Sequence, residues 1–224
     1  MLLSVVMPAL DEAAGIGHSL CALAALRQAG VEVIVVDGGS ADATAALARP
    51  LADQVLNSPR GRALQMNAGA AAAQGDMLLF LHADTRLPAD ALTLMQRAAV
   101  DAHHAWGRFD VDIDGRSRWL KIVAFMMNQR SRLTGIATGD QAIFVRRTAF
   151  VAVGGYPVQP LMEDIELSRR LRRIGAPLCL RARVCTSGRR WEAHGVWRTI
   201  ALMWRLRLLY WLGTPAERLA AKYR

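Results

Sequence analysis

Residues 77–85 read Met77-Leu78-Leu79-Phe80-Leu81-His82-Ala83-Asp84-Thr85. Five consecutive apolar residues bounded by polar ones describe a strand buried on both faces. Asp84 emerges just past its carboxyl end, where open α/β sheets place their ligands. A similar arrangement occurs upstream in Glu32-Val33-Ile34-Val35-Val36-Asp37-Gly38-Gly39-Ser40, and a third acidic site, Met162-Glu163-Asp164-Ile165-Glu166, opens a helix further on. Acid at two strand ends and at one helix start suggests a cleft for a nucleotide, a metal and a general base.

Working outward, residues 2–7 form a first apolar strand that Pro8 ends, and 14–29 a helix with Ile16, Leu20, Leu23 and Leu26 at helical spacing. A strand at 32–36, a helix from Ser40 to about Ala48, an extended piece at 53–57, an Ala-rich helix at 61–74 and a helix at 89–101 complete the first hundred residues. This βα rhythm with short connections predicts a mainly parallel α/β sheet with helices on both faces. Beyond residue 106 the pattern weakens. Residues 109–113 alternate like a half-exposed strand, 117–130 read as a helix, 141–145 as a strand, 147–153 as a helix, 164–174 as a basic helix and 177–186 as a last strand.

The chain has 224 residues, of which 53% are hydrophobic, enough for a sizeable core and too many for a disordered chain. Its net charge of +9 is uneven, with residues 1–112 net acidic and the basic excess in 113–224. A solvated basic face accounts for that excess, and so does an anionic partner: a diphosphate donor, a lipid-phosphate acceptor or an anionic membrane surface. No recognisable nucleic-acid motif accompanies it. Cys21, Cys179 and Cys185 lack CxxC spacing, which disfavours a zinc site or disulfide framework and fits a reducing cytoplasm. The first residues lack a basic n-region and read as a strand, not a signal peptide.

Residues 196–212 form a long apolar helix in which Trp197, Trp204 and Trp211 recur every seven residues and so share a face. Arg198, Arg205 and Arg207 argue against a membrane span, which needs ~20 largely uncharged residues. A helix packed on the domain or on a second copy is one reading. An interfacial helix, peripheral on the cytoplasmic membrane face, is the other. The expected division is a catalytic domain over 1–195 and a C-terminal amphipathic segment over 196–224.

The motifs carry distinct chemistry. In residues 35–44, VVDGGSADAT, the glycines allow a sharp turn or a close ligand approach. Asp37 could accept the N–H of a base; an ordinary strand-to-helix turn capped by Ser40 or Asp42 is the alternative. In LHAD, Asp84 offers carboxylate oxygen to Mg²⁺ or Mn²⁺, which would bridge to diphosphate. His82 is a further ligand or a spacer. In LMEDIELSRRLRR, Glu163 and Asp164 start a helix whose dipole favours their charge, and Asp164 is the candidate base for an acceptor hydroxyl. Arg189, Arg190 and Trp191 could pair with phosphate and stack on a ring. Arg60, Arg62, Gln65 and Asn67 precede a small-residue helix and suit phosphate or ribose, or are simply a solvated helix start.

In order, these pieces resemble the inverting family 2 glycosyltransferases of the GT-A fold, a Rossmann-like nucleotide-diphospho-sugar transferase architecture. SVVMPALDE (4–12) resembles their first strand and loop. VVDGGSADAT resembles VVDDGSTDGT, with Gly38 in place of the second Asp. Residues 60–85 resemble their AxNxG helix and DxD, with His82 in place of the first Asp. GDQAIFVRR (139–147), GGYP (154–157) and MEDIELSRRLRRIG (162–175) resemble the acceptor side and the catalytic ED motif. RRW resembles part of (Q/R)xxRW. The GDQ, LMED and SGRRW blocks look similar to the short bacterial selenodomain-associated transferase 2 subgroup.

The resemblance implies a nucleoside-diphosphate-sugar donor, a divalent cation and single-displacement inversion onto an acceptor it does not identify, a lipid-linked one included. The donor base would lie against Pro8, Ala9, Leu10, Glu12 and Asp37, with Gly38, Gly39 and Ser40 in the adjoining turn. Asp84 would hold the metal. Gly139, Asp140 and Gln141 would line the sugar and acceptor side, and Asp164 beside Glu163 would take the proton. Two other classes remain: a sugar-phosphate nucleotidyltransferase, disfavoured because PALDEAAG lacks a basic residue, and a non-catalytic nucleotide- or membrane-binding module.

Overall fold

The computed structural model describes residues 2–101 and 103–223. Its strands are β1 (Leu3–Ala9), β2 (Glu32–Asp37), β3 (Gln54–Asn57), β4 (Met77–Phe80), β5 (Thr85–Arg86), β6 (Trp106–Asp114), β7 (Phe144–Arg146) and β8 (Leu178–Ser187). The helices in the first half are α1 (Ala13–Cys21), α2 (Ala24–Gln28), α3 (Thr44–Ala48), α4 (Arg62–Ala72) and α5 (Ala91–Val100). Those in the second are α6 (Trp119–Thr134), α7 (Arg147–Ala152), α8 (Glu163–Leu171), α9 (Arg189–His194), α10 (Val196–Trp211) and α11 (Ala216–Tyr223).

The strands form one sheet in the order β3-β2-β1-β4-β7-β6-β8-β5. It is parallel from β3 to β4, antiparallel from β4 through β7 to β6, parallel again between β6 and β8, and antiparallel at β5. The expectation of a mainly parallel sheet therefore holds for the first half, and the whole is a mixed α/β fold. Alternate residues of the central strands feed two cores. Val5, Met7, Val33, Val35 and Leu79 pack with Ile16, Leu20 and Met95 on one face. Val6, Ile34, Val36, Leu78 and Phe80 pack with Met66, Phe150 and Leu167 on the other. Each such buried aliphatic side chain stabilises the fold by roughly 1.5–3 kcal/mol. Gly69 lets α4 lie close on the sheet, because a Cβ there would fall 2.4 Å from Val6 Cγ1.

Several local readings change. Pro8 does not end β1 but pairs with Val36 inside it. The oxygen of Val6 accepts from Leu81, so Pro8, two residues on, faces the same side after β4 has turned away, and its missing N–H costs nothing there. The helix expected over 14–29 breaks into α1 and α2. β6 is buried along nearly its whole length, not half exposed. Its buried acid, Asp110, is accommodated by pairing: buried Arg108 contacts it, and Arg132 reaches it at 2.6 Å.

Candidate functional site

A cleft of about 900 Å³ opens at the carboxyl ends of β1 and β4. Pro8, Ala9, Leu10 and Glu12 form one wall, Arg60, Arg62 and Gln65 the start of α4, and His82 and Asp84 the exit from β4. Asp140 faces them, and Arg189, Arg190 and Trp191 of α9 close the other side.

The loop after β1 owes its shape to the residues 37–44. Asp37 accepts from the N–H groups of Gly39 (3.1 Å) and Ser40 (3.0 Å) and from the Ser40 hydroxyl. Ser40 in turn accepts from Asp11 N–H at 2.9 Å, and Thr44 Oγ1 from Glu12 N–H at 2.8 Å. Asp37, Gly38, Gly39 and Ser40 are therefore not among the residues lining the cleft. They hold the Leu10–Glu12 wall in place from behind. Gln65 reaches the cleft, but its amide nitrogen donates to Ala9 and Val36 at 2.8 and 2.9 Å, clamping the ends of β1 and β2.

Asn67 was expected to meet phosphate or ribose. It points elsewhere, donating to Tyr156 O at 2.8 Å and accepting from Tyr156 N–H at 2.9 Å. It ties the GGYP loop to α4. Of the GDQ residues only Asp140 lines the cleft. Gly139 packs on the His82 ring, where a Cβ would fall 2.4 Å from Nε2. Gln141 is fully buried, its amide donating to Ser131 Oγ at 3.0 Å and Asn128 Oδ1 at 3.3 Å.

Glu163 and Asp164 open α8 just behind Asp140 and Arg62, and neither lines the cleft. Asp164 Oδ2 accepts from Gly139 N–H at 2.9 Å and Oδ1 from Ile165 N–H at 2.7 Å. Burial pushes the Asp164 carboxyl above its ordinary range against the pull of those two donors; Asp140 adds to the rise and Arg62 opposes it. Burial and then Asp164 raise Glu163 in the same way. Asp140 goes the other way. Burial favours its neutral form, yet the hydrogen bond and charge of His82, with Arg62 and Arg190, hold it below the usual value. His82 Nδ1 lies 3.4 Å from Asp140 Oδ1.

Asp84 is partly open to the cleft. Arg189 Nη2 bridges it to Glu12, at 3.8 Å from Asp84 Oδ2 and 3.2 Å from Glu12 Oε2. Among the described residues no group of three His, Cys, Asp or Glu side chains could hold a metal ion. The donor set fits a cation bound through one carboxylate and completed by substrate oxygens, the usual habit of Mg²⁺, rather than an all-protein cage.

Thr186, Ser187, His194, Thr199, Met203 and Tyr223 also line the cleft. Ser187 stands two residues before Arg189 and could have been found by extending the SGRRW motif. Tyr223 has no local signal. It arrives because Leu206 and Leu219 pack on Leu161 and Met162, seating α10 and α11 beside α8. There Arg190 lies over the Tyr223 ring at 3.6 Å. Among the described residues no helix is long and apolar enough to cross a membrane.

The sequence model of the family described as Glycosyl transferase family 2 matches residues 4–154. No curated protein sequence matches the chain. Among solved structures, residues 1–349 of S. aureus TarS are similar at TM-score 0.66 and 17% identity, covering 84% of this chain and 61% of that one. The mannosyltransferase PcManGT from Pyrobaculum calidifontis, in complex with GDP-Man and Mn²⁺, is similar at TM-score 0.62 and 21% identity, over 82% and 56%. Glucosyl-3-phosphoglycerate synthase from Mycobacterium tuberculosis, with Mn²⁺, UDP and glucosyl-3-phosphoglycerate, is similar at 0.61 and 20%, over 83% and 70%. The chain thus spans about three fifths of the length of the first two. These likenesses show a fold of the GT-A kind.

Proposed function

The chain belongs to glycosyl transferase family 2, and on that premise we propose that it moves a sugar from a nucleoside-diphosphate sugar to an acceptor hydroxyl with inversion. The observation that carries this is the convergence in one cleft of Asp84, Asp140 and four arginines, Arg60, Arg62, Arg189 and Arg190. That set suits a diphosphate beside a proton-accepting carboxylate.

The donor base rests against Pro8, Ala9, Leu10 and Glu12, a wall fixed by Asp37 and Ser40. Asp84 holds Mn²⁺ or Mg²⁺, which when bound neutralises charge on the leaving nucleoside diphosphate. Arg189 and Arg190 draw over the diphosphate and Trp191 offers a face to a ring. The acceptor oxygen attacks the anomeric carbon, the bond from that carbon to the diphosphate oxygen breaks, and Asp164 takes the acceptor's proton. The raised proton affinity of Asp164 suits a base. Its position behind the cleft wall requires Asp140 or the acceptor to shift before the transfer. Asp140, which unlike Asp164 lines the cleft, is the second reading for the base. Within the family, the GDQ, LMED and SGRRW blocks point to the selenodomain-associated transferase 2 subgroup.

The deciding experiment measures nucleoside-diphosphate release from UDP-, GDP-, TDP- and CDP-sugars with Mn²⁺. The Mn²⁺ beside GDP-Man and UDP in the solved relatives motivates the choice of metal and of those two donors. Asp164→Asn should cut turnover by roughly 10²–10⁴-fold with donor binding intact. Normal turnover in that variant with loss in Asp140→Asn moves the base to Asp140. Pyrophosphate release instead of nucleoside diphosphate would mark a nucleotidyltransferase.

A further inference from the structure

Two helices far apart in the chain present one apolar face to solvent. On α6, Trp119, Ile122, Phe125 and Met126 are each between 43% and 57% exposed. On α10, Trp197, Trp204 and Trp211 are exposed by 60%, 69% and 81%. The rings of Trp119 and Trp197 meet at 4.9 Å between centroids and join the two stripes into one face.

The pitch of α10 explains its layout. At 3.6 residues per turn the three tryptophans fall on one line, opposite Thr199 and Leu206, which are buried. Arg198 and Arg205 run along the flank of that line, both exposed. Lys121 is exposed on α6, and neither helix contains an Asp or Glu. An apolar face of this extent on a water-soluble surface marks an interaction site.

We propose that the joined outer faces of α6 and α10 seat on an anionic lipid surface, with the tryptophans at headgroup depth and Lys121, Arg198 and Arg205 against headgroup charge. Amphipathic tryptophan favours that depth, and long basic side chains reach from an apolar stripe to lipid phosphate. The charge pattern selects lipid over a second copy. A two-fold self-interface places the same patch on both sides, and here it would oppose cation to cation with no acid on either helix to answer them. This inference does not depend on the chemistry in the cleft.

The test is sedimentation of the full chain with phosphatidylglycerol vesicles and with pure phosphatidylcholine vesicles. Binding to the first and not the second is expected, with weakening at high salt and a blue shift of tryptophan emission. Trp204→Ser with Trp211→Ser should lower vesicle affinity by about tenfold or more at an unchanged melting temperature, both side chains being exposed. Arg198→Glu with Arg205→Glu should lower it by at least about tenfold while leaving the tryptophans in place. Absence of binding to anionic vesicles, or equal binding to both lipids untouched by either pair, overturns the proposal. A dimer in light scattering that Trp204→Ser dissociates, without vesicle binding, overturns it and assigns the face to a second copy.

Discussion

The guanidinium of Arg189 stands 3.8 Å from the carboxylate of Asp84. A side chain that is 62% exposed gains little stability from such a pair in water. Its value lies in the cleft, where it faces the place proposed for diphosphate. Arg189→Ala should leave the free energy of unfolding within about 0.5 kcal/mol. It should weaken nucleoside-diphosphate binding by roughly tenfold or more, the loss of one charge-assisted hydrogen bond. Calorimetric titration beside urea unfolding separates the two.

Asp84 is the other half of that relationship. Asp84→Ala should abolish the dependence of donor binding on Mn²⁺, read as loss of the metal-dependent rise in melting temperature with the nucleotide. An undiminished metal effect in the variant would remove Asp84 from the site.

Asp164 gives a stability signature independent of turnover. Its folded-state carboxyl binds a proton more tightly than an ordinary Asp because it is buried, with Asp140 adding to the effect. A group raised in this way contributes its full stability below its unfolded value and loses it as pH rises through its folded one. Asp164→Asn keeps an oxygen for Gly139 N–H, gives up the one that accepts from Ile165 N–H, and removes the charge. The melting temperature of the variant relative to the wild type should therefore be most favourable at neutral pH, with that relative advantage shrinking as the buffer is taken toward pH 4. An advantage that grows on acidification would contradict the burial argument.

Asn67→Ala should lower stability by about 1–3 kcal/mol, since it leaves the Tyr156 N–H without its partner in a partly buried loop. Donor affinity should hardly change, which nucleotide titration of the variant checks. A large loss of affinity at unchanged stability would return Asn67 to the nucleotide.

The strands that place Asp37 and Asp84 were legible because each is a short apolar run ending in acid, and a doubly buried strand can scarcely be written otherwise. The acids Asp140 and Asp84 and the arginines of α9, each in a different motif, line one cleft. What could not be read was direction. Gln65, Asn67 and Gln141 are amides that serve backbone or a neighbouring helix equally well, and only the approach of β1, the GGYP loop and α6 decides which. The alternation in 109–113 misled because Arg108 and Arg132 neutralise Asp110 inside the fold, an arrangement that hydropathy alone reads as exposure. Tyr223 joins the cleft through packing on Leu161 and Met162, far from any motif.

The helix α10 has its two long sides committed to different things: Thr199 and Met203 to the cleft, Trp204 and Trp211 to solvent. Thr199 lies across the helix from the tryptophans, at one helix diameter, about 10 Å with side chains. On the two proposals above, an acceptor entering past α10 from a surface touched by the tryptophans would have to project its reactive hydroxyl by about that length, so α10 would select molecules by reach before the cleft selects them by chemistry.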